Sequence, residues 1–370
     1  MKSILFTLTI LLLGFWHYGA NFLATILIIS FLIFFHELGH FLAAKKLGVH
    51  INVFSIGFGE KIFSKKIKDT TYCISAIPLG GYVQLKGQDD TNPNIRSDDP
   101  DSYNSLSPLG RIFILAAGPF FNIFLAFLLY IALGHIGVQK LAPVVGSVLE
   151  NSSALSANIQ KGDKILAIDG IEVKEWNDIS KLVTPNPMHI NIQRNGIILD
   201  VLLTPKIGKT YTIFKEEIQK PLIGISPSGE LTTLYHTGLS SISYALDETL
   251  QASKLIFLSL EKLIVGVVPI KELGGIVAMS DITSKAASIS LSALLIITAL
   301  ISVNLGILNL FPIPALDGGH ILFNAYELIF KKPVSQKVFS MLTYGGMAFL
   351  FALMAFTIMN DIFRLAGGYN

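Results

Sequence analysis

The chain has 370 residues, 51% of them hydrophobic and 15% charged, with a net charge of +2. A soluble protein of this length carries roughly 25% charged residues, so the deficit points to a membrane protein. The small net charge excludes a broad basic field for nucleic acid, and the single cysteine, Cys73, excludes an internal disulfide framework and a cysteine-rich metal site.

In chain order, the first apolar run covers 4–16, behind Lys2, within an N-terminal hydrophobic segment at 1–20. It falls short of the about 20 residues that cross a bilayer. A signal-peptide core, an extra helix and an interfacial segment are the open readings. Gly19-Ala20 resembles a cleavage site only weakly, which favours a retained anchor.

Residues 21–44 are the first full-length run, and it holds "FFHELGHFLAAKK". Ionisable groups at bilayer depth are costly and mark function by default. His36 and His40 are four apart, so a helix sets both imidazoles on one face, about one turn apart. Together they can grip one zinc ion, while Glu37 beside them can take a proton from an attacking water. This is the H-E-x-x-H arrangement of a metalloprotease.

Residues 45–107 form the next region. Its stretch 51–87, "INVFSIGFGEKIF" through "IPLGGYVQLKG", alternates and is rich in glycine. A membrane-associated β-hairpin or small sheet is expected, dipping towards the active site, with an edge that can pair with an extended substrate. Residues 88–107 are polar and loop-like. A second span follows at 108–138.

Residues 139–206 read as short strands. Asp169-Gly170 marks a turn, and Asn195-Gly196 between apolar runs is a strong hairpin signal. "EWNDISKLV" is a short helix candidate. This order resembles a PDZ domain of the circularly permuted bacterial kind, which implies a groove for an extended segment; a plain β-rich spacer is the alternative. Residues 207–290 are expected to be an amphipathic helical connection, with Leu239, Ile242, Leu246, Leu250, Ile256, Leu260 and Leu263 at helical spacing.

The third span is placed at 291–312, and it leads into "NLFPIPALDGGH". Catalytic zinc takes three protein ligands and keeps an open position, so a third ligand is needed from another span. Asp317 is the leading candidate and His320 a competitor. Pro312 and Pro314 break the helix before it. Gly318 and Gly319 are expected to let the backbone turn sharply after it, in a turn and loop at 313–337. A fourth span is placed at 338–366. Lys45, Lys46, Lys61, Lys65, Lys66, Lys68 and Arg111 flank the first two spans, and Lys331, Lys332 and Lys337 lie between the last two. The positive-inside rule makes these loops cytoplasmic and puts 139–206 outside, in the periplasm of a Gram-negative cell.

Three motifs in order carry a resemblance: "HELGH" on the first span, "AAGPFFN" (116–122) on the second and "NLFPIPALDGG" (309–319) on the third. "FSIGFGE" and "IPLGGYVQL" add to it. The chain resembles the site-2 protease family of intramembrane zinc metalloproteases, in its bacterial branch of regulator of sigma-E protease type. The resemblance implies one zinc ion per chain held by His36, His40 and Asp317, with Glu37 as catalytic base. It implies that Asn304 and Asn309, with Pro312 nearby, help hold an unwound substrate, and that Gly118, Pro119 and Asn122 shape the second span near the site. An amide offers a donor and an acceptor, which suits a backbone whose helical bonds are undone. The chain departs from many relatives in having room for one PDZ domain rather than two, and in its first 20 residues.

The expected fold is therefore a mainly α-helical membrane protein with about four core transmembrane helices, an inserted periplasmic β-rich PDZ domain and a membrane-associated β-hairpin. The expected function is a zinc endopeptidase of the bacterial inner membrane, cutting single-span membrane proteins within the lipid bilayer. The resemblance implies anti-sigma factors or remnant signal peptides as substrates. A transporter or metal carrier and a non-catalytic scaffold are the alternative classes.

Overall fold

The computed structural model describes residues 19–88 and 95–367, together with positions 9, 12, 15 and 16. The expectation of a hydrophobic anchor at 1–20 lies almost wholly outside the described residues. The chain divides into two compact units, residues 1–132 with 242–370, and residues 133–241.

In the first unit, helix α1 (Ala20–Lys46) is about 40 Å long at 1.5 Å per residue. Lys45 and Lys46 in its last turn complement the helix dipole. Strands β1 (Ile51–Ile67) and β2 (Thr70–Leu85) follow as an antiparallel pair. The ladder is irregular: Phe54 has Val83 on one side and Tyr72 on the other, so the first half of β1 lies between two stretches of β2. The outer stretch, 81–85, runs beside α1. The Ser30 hydroxyl donates to the Pro78 carbonyl, and a Cβ on Gly81 would lie 3.2 Å from Glu37 Cγ. The expected hairpin is present, and glycine is what lets it come this close to the first helix.

Helix α2 (Pro108–Ile136) opens on proline, whose missing N–H is no loss in a first turn. The second unit comes next: β3 (Val138–Leu141), β4 (Val145–Val148), α3 (Ser153–Ser156), β5 (Lys164–Ile168), β6 (Ile171–Glu172), α4 (Trp176–Leu182), β7 (Met188–Arg194), β8 (Ile197–Leu203), β9 (Lys206–Tyr211), β10 (Glu217–Leu222), β11 (Ile225–Pro227) and β12 (Leu231–Leu234). Its main sheet has the order β6-β5-β7-β8. Met188, Ile190 and Ile192 alternate into a core with Ile165, Ile168 and Ile179, as a half-buried strand requires. Asn195 and Gly196 both take positive φ, 51° and 82°, the turn expected of that pair. Asp163, 1% exposed, is held by both the Nε and Nη2 of Arg194 at 2.7 Å. Residues 207–234, expected to begin a helical connection, instead carry strands: β9 and β10 pair with each other, β11 with β4 and β12 with β3. The partners of β11 and β12 lie roughly 80 to 95 residues earlier, and such non-local pairing leaves no local period to read.

The chain then returns to the first unit through α5 (Leu239–Ile264), α6 (Ile276–Ile289), α7 (Leu291–Asn309), α8 (Asp317–Phe330) and α9 (Gln336–Leu365). Among the described residues, four helices are long and apolar enough to cross a membrane: α1, α2, α7 and α9. The loop expected after Asp317 is a 14-residue helix, α8, whose first turn contains Gly318 and Gly319. These glycines serve close approach rather than a turn. A Cβ on Gly318 would overlap the carbonyls of Leu310 and Phe311, and one on Gly319 would overlap that of Ile313. The reversal comes earlier, at Ala315, which takes φ 83°, a costly conformation for a residue with a side chain.

Candidate metal centre

The ligand candidates come from two helices far apart in sequence. α1 supplies His36 and His40, and the N-terminus of α8 supplies Asp317. Asp317 Oδ2 lies 3.2 Å from His36 Nε2 and 3.5 Å from His40 Nε2. The two Nε2 atoms are 3.1 Å apart, and one donor atom from each of the three residues falls within 4.8 Å of the others. All three side chains are at most 16% exposed.

The outer nitrogens decide what this cluster can hold. His40 Nδ1 faces the Ile114 carbonyl at 2.8 Å. A carbonyl only accepts, so Nδ1 carries the hydrogen and Nε2 keeps its lone pair. His36 Nδ1 faces the Asn122 amide nitrogen at 3.2 Å, while Asn122, fully buried, leaves Oδ1 with no partner among the described residues. The O and N of an amide are assigned by their partners. Turning the Asn122 amide by half a turn sets Oδ1 on the ring N–H and removes the orphan. Both imidazoles then direct Nε2 lone pairs at a carboxylate oxygen with no proton between them. Such a cluster needs a cation, and two imidazoles with a carboxylate fit zinc.

Small residues make room for it. A Cβ on Gly118 would overlap His40 Nε2, and one on Gly39 would overlap the Ala117 carbonyl, so α1 and α2 touch backbone to backbone where the ligands sit. On the far side of α2, Gly306 of α7 lies against the Pro119 carbonyl, and the Ser302 hydroxyl donates to the Asn122 carbonyl at 2.7 Å.

A cavity of about 140 Å³ opens over the ligands, lined in part by Glu37, Val83, Leu85, Leu115, Asn309 and His320. Glu37, Asn309 and the outer stretch of β2 are thus brought together with His36, His40 and Asp317. Pro119, inside α2, has no N–H for the Leu115 carbonyl. Asn304 and Pro312 do not line this cavity. Asn304 precedes Asn309 by five residues, which turns it about 140° away on a helix. The Ile114 carbonyl and Ser302 were not anticipated. A backbone carbonyl carries no side-chain signal, and a serine in a span reads as ordinary packing.

Comparison with known proteins gives the family. The profile of peptidase family M50 matches residues 24–353. The chain belongs to this family. M50 is the site-2 protease family, so the expected family and hydrolase class are borne out, and the chain is a multi-pass membrane protein. Among its M50 relatives is a Campylobacter jejuni protein provisionally named a zinc metalloprotease, Cj1068, 54% identical over 99% of this chain and 100% of that protein. A Helicobacter pylori protein with the same kind of name is 38% identical over 93% and 99%. The regulator of sigma-W protease RasP of Bacillus subtilis is 30% identical over 93% and 98%.

Proposed function

We propose that this M50 peptidase is an intramembrane zinc metalloendopeptidase, with one zinc ion held by His36, His40 and Asp317. The carrying observation is the convergence of two imidazole lone pairs and a carboxylate on apolar helices. Zinc, when bound, supplies Lewis acidity that polarises a scissile carbonyl and makes a water easier to deprotonate. The chain's own residues do the rest. Glu37, one residue from His36 and lining the same cavity, is the general base that takes the proton of the attacking water and passes it to the leaving nitrogen. The Asn309 amide lines the cavity and can bond a peptide whose helical hydrogen bonds have been undone. The outer stretch of β2, with Val83 and Leu85 lining the cavity, offers a strand edge that holds that peptide extended. Asn304 and Pro312 are read as supporting the substrate path beyond the cavity, and Gly118, Pro119 and Asn122 as shaping α2 around the ligands.

The protein is placed in the bacterial inner membrane. Its basic loops and the metal centre face the cytoplasm by the positive-inside rule. The β-rich unit is read as a periplasmic PDZ domain that screens or docks substrates. Substrates are single-span membrane proteins, with anti-sigma factors favoured by the name of the Bacillus subtilis relative and remnant signal peptides as a second class. The test is cleavage of a single-span substrate in detergent by wild type and Glu37→Gln, with zinc assayed in both. Cleavage by wild type alone, with zinc in both proteins, supports the assignment. Zinc-loaded wild type that cuts no trimmed substrate would refute it.

A further inference from the structure

Helices α1 and α2, both long and apolar enough to cross a membrane, meet along an antiparallel seam. The Phe35 and Phe121 rings are 5.7 Å apart, a Cβ on Gly39 would overlap the Ala117 carbonyl, and Lys46 Nζ lies 5.8 Å from the centroid of the Phe113 ring. A groove of about 440 Å³ follows this seam. From α1 it is lined by Gly39, Leu42, Ala43 and Lys46, at the spacing i, i+3, i+4 and i+7 of one helical stripe. A matching stripe of α2, from Phe113 to Phe121, forms the other side. The groove shares no lining residue with the cavity over the ligands.

Its lining is apolar with one exception. Gly39, Ala43, Ala116 and Ala117 are too small to fill the trough, while Leu42, Phe113 and Phe120 flank it and are exposed. Lys46 is the one polar side chain among its lining residues. It stands at one end, seven residues or about 10.5 Å along the helix from Gly39. Lys46 forms no ion pair among the described residues; its contact is the Phe113 ring. The neighbouring cations are engaged elsewhere: Lys45 lies over the Phe41 ring, and Arg111, two residues before Phe113, is paired with Glu327 at 2.7 Å. An apolar trough between two spans thus ends in one uncompensated positive charge, where α1 gives way to the basic loop. A long apolar molecule with an anion at one end is its complement.

We propose that this groove binds an anionic phospholipid, with one acyl chain along the α1–α2 seam and the phosphate at Lys46. Basic pockets between spans on the cytoplasmic side suit anionic head groups. A zwitterionic head group brings its own cation and gains less from Lys46. The site needs the two spans and the lysine, and stands apart from the protease chemistry.

The test uses the full-length protein in phosphatidylcholine vesicles. A trace of phosphatidylglycerol or of phosphatidylcholine is added, with the same photoreactive group on its acyl chain. Labelled peptides are mapped by mass spectrometry. Labelling of 39–46 and 113–121 is read relative to α9, whose exposed Phe349 and Phe351 report ordinary contact with lipid. The expected ratio is about fivefold higher with the phosphatidylglycerol probe, the scale of one lysine at an anionic surface. Lys46→Gln is expected to bring the two probes level, and Ala116→Leu, which fills the trough, to lower labelling by both. Equal labelling by the two probes in wild type, or a preference that survives Lys46→Gln, would overturn the proposal. A groove labelled by neither probe above the level of α9 holds bulk lipid or is covered by protein, and overturns it as well.

Discussion

Replacing Gly118 by alanine separates helix stability from metal binding. Within a helix, alanine is favoured over glycine by about 1 kcal/mol, so α2 taken alone gains. The added Cβ, however, would overlap His40 Nε2 and stand 2.6 Å from His40 Cε1 and 2.9 Å from His36 Cε1. Ordinary contact begins near 3.4 Å, so the overlap with His40 Nε2 requires that imidazole to move by roughly 1 Å. Zinc sites hold their ligand distances within about 0.2 Å, and retreat is hindered because His40 is tied to the Ile114 carbonyl. The expected loss of metal affinity is at least that of removing an outer-shell partner, about 10- to 100-fold. The assay is zinc retention against a graded chelator, by elemental analysis of protein purified in detergent. Gly345→Ala in α9, where an added Cβ meets nothing within 4 Å, is the matched control and keeps its zinc. Wild-type chelator resistance in Gly118→Ala would refute the ligand geometry.

Asn122→Leu removes the partner of His36 Nδ1 and is expected to weaken zinc binding about 10- to 100-fold, whereas Asn122→Asp keeps an acceptor there and retains zinc; chelator competition measures both. In the β-rich unit, burial disfavours ionised Asp163, but its hydrogen bonds to Arg194 hold the carboxyl below its usual range. A lowered carboxyl pKa stabilises the fold above the unfolded value, about 3.9, and that contribution is lost as pH falls through the lower folded value. Arg194→Ala should therefore cost about 3–5 kcal/mol by stranding a buried charge and move acid unfolding to higher pH, as read by circular dichroism. Asp361, 2% exposed, accepts from the backbone N–H groups of Gly275, Val277 and Ala278 at the start of α6. Asp361→Ala leaves these donors unpaired, at about 1–3 kcal/mol for each buried one, and is expected to lower the thermal midpoint in detergent and open the 271–275 segment to proteolysis.

Much of the centre is legible locally. The i, i+4 spacing of His36 and His40 is a property of any helix, and an apolar run of 20 or more residues leaves little besides a span. Asp317 is legible less directly, because two prolines interrupt an apolar run beside a carboxylate. The same stretch also misleads. Gly318 and Gly319 read as a turn, since glycine freedom is a local signal, while the backbone they admit, at Leu310, Phe311 and Ile313, is known only once the chain has doubled back. β11 and β12 escape for a similar reason, their partners lying in β4 and β3.

By itself the sequence determines the helices that cross the membrane, the pair of imidazoles on one of them and the hairpin beside it, because hydrophobic length and helical periodicity act over a few turns. Tertiary structure decides which lone pairs meet. The proton on His40 is placed by a backbone carbonyl of α2, the partner of His36 Nδ1 by the packing of α2 against α1 and α7, and the ion pair of Arg111 with Glu327 by the docking of α8 beside α2. Hydrogen-bond satisfaction is a sum over neighbours distant in sequence, and it exists only after they are assembled.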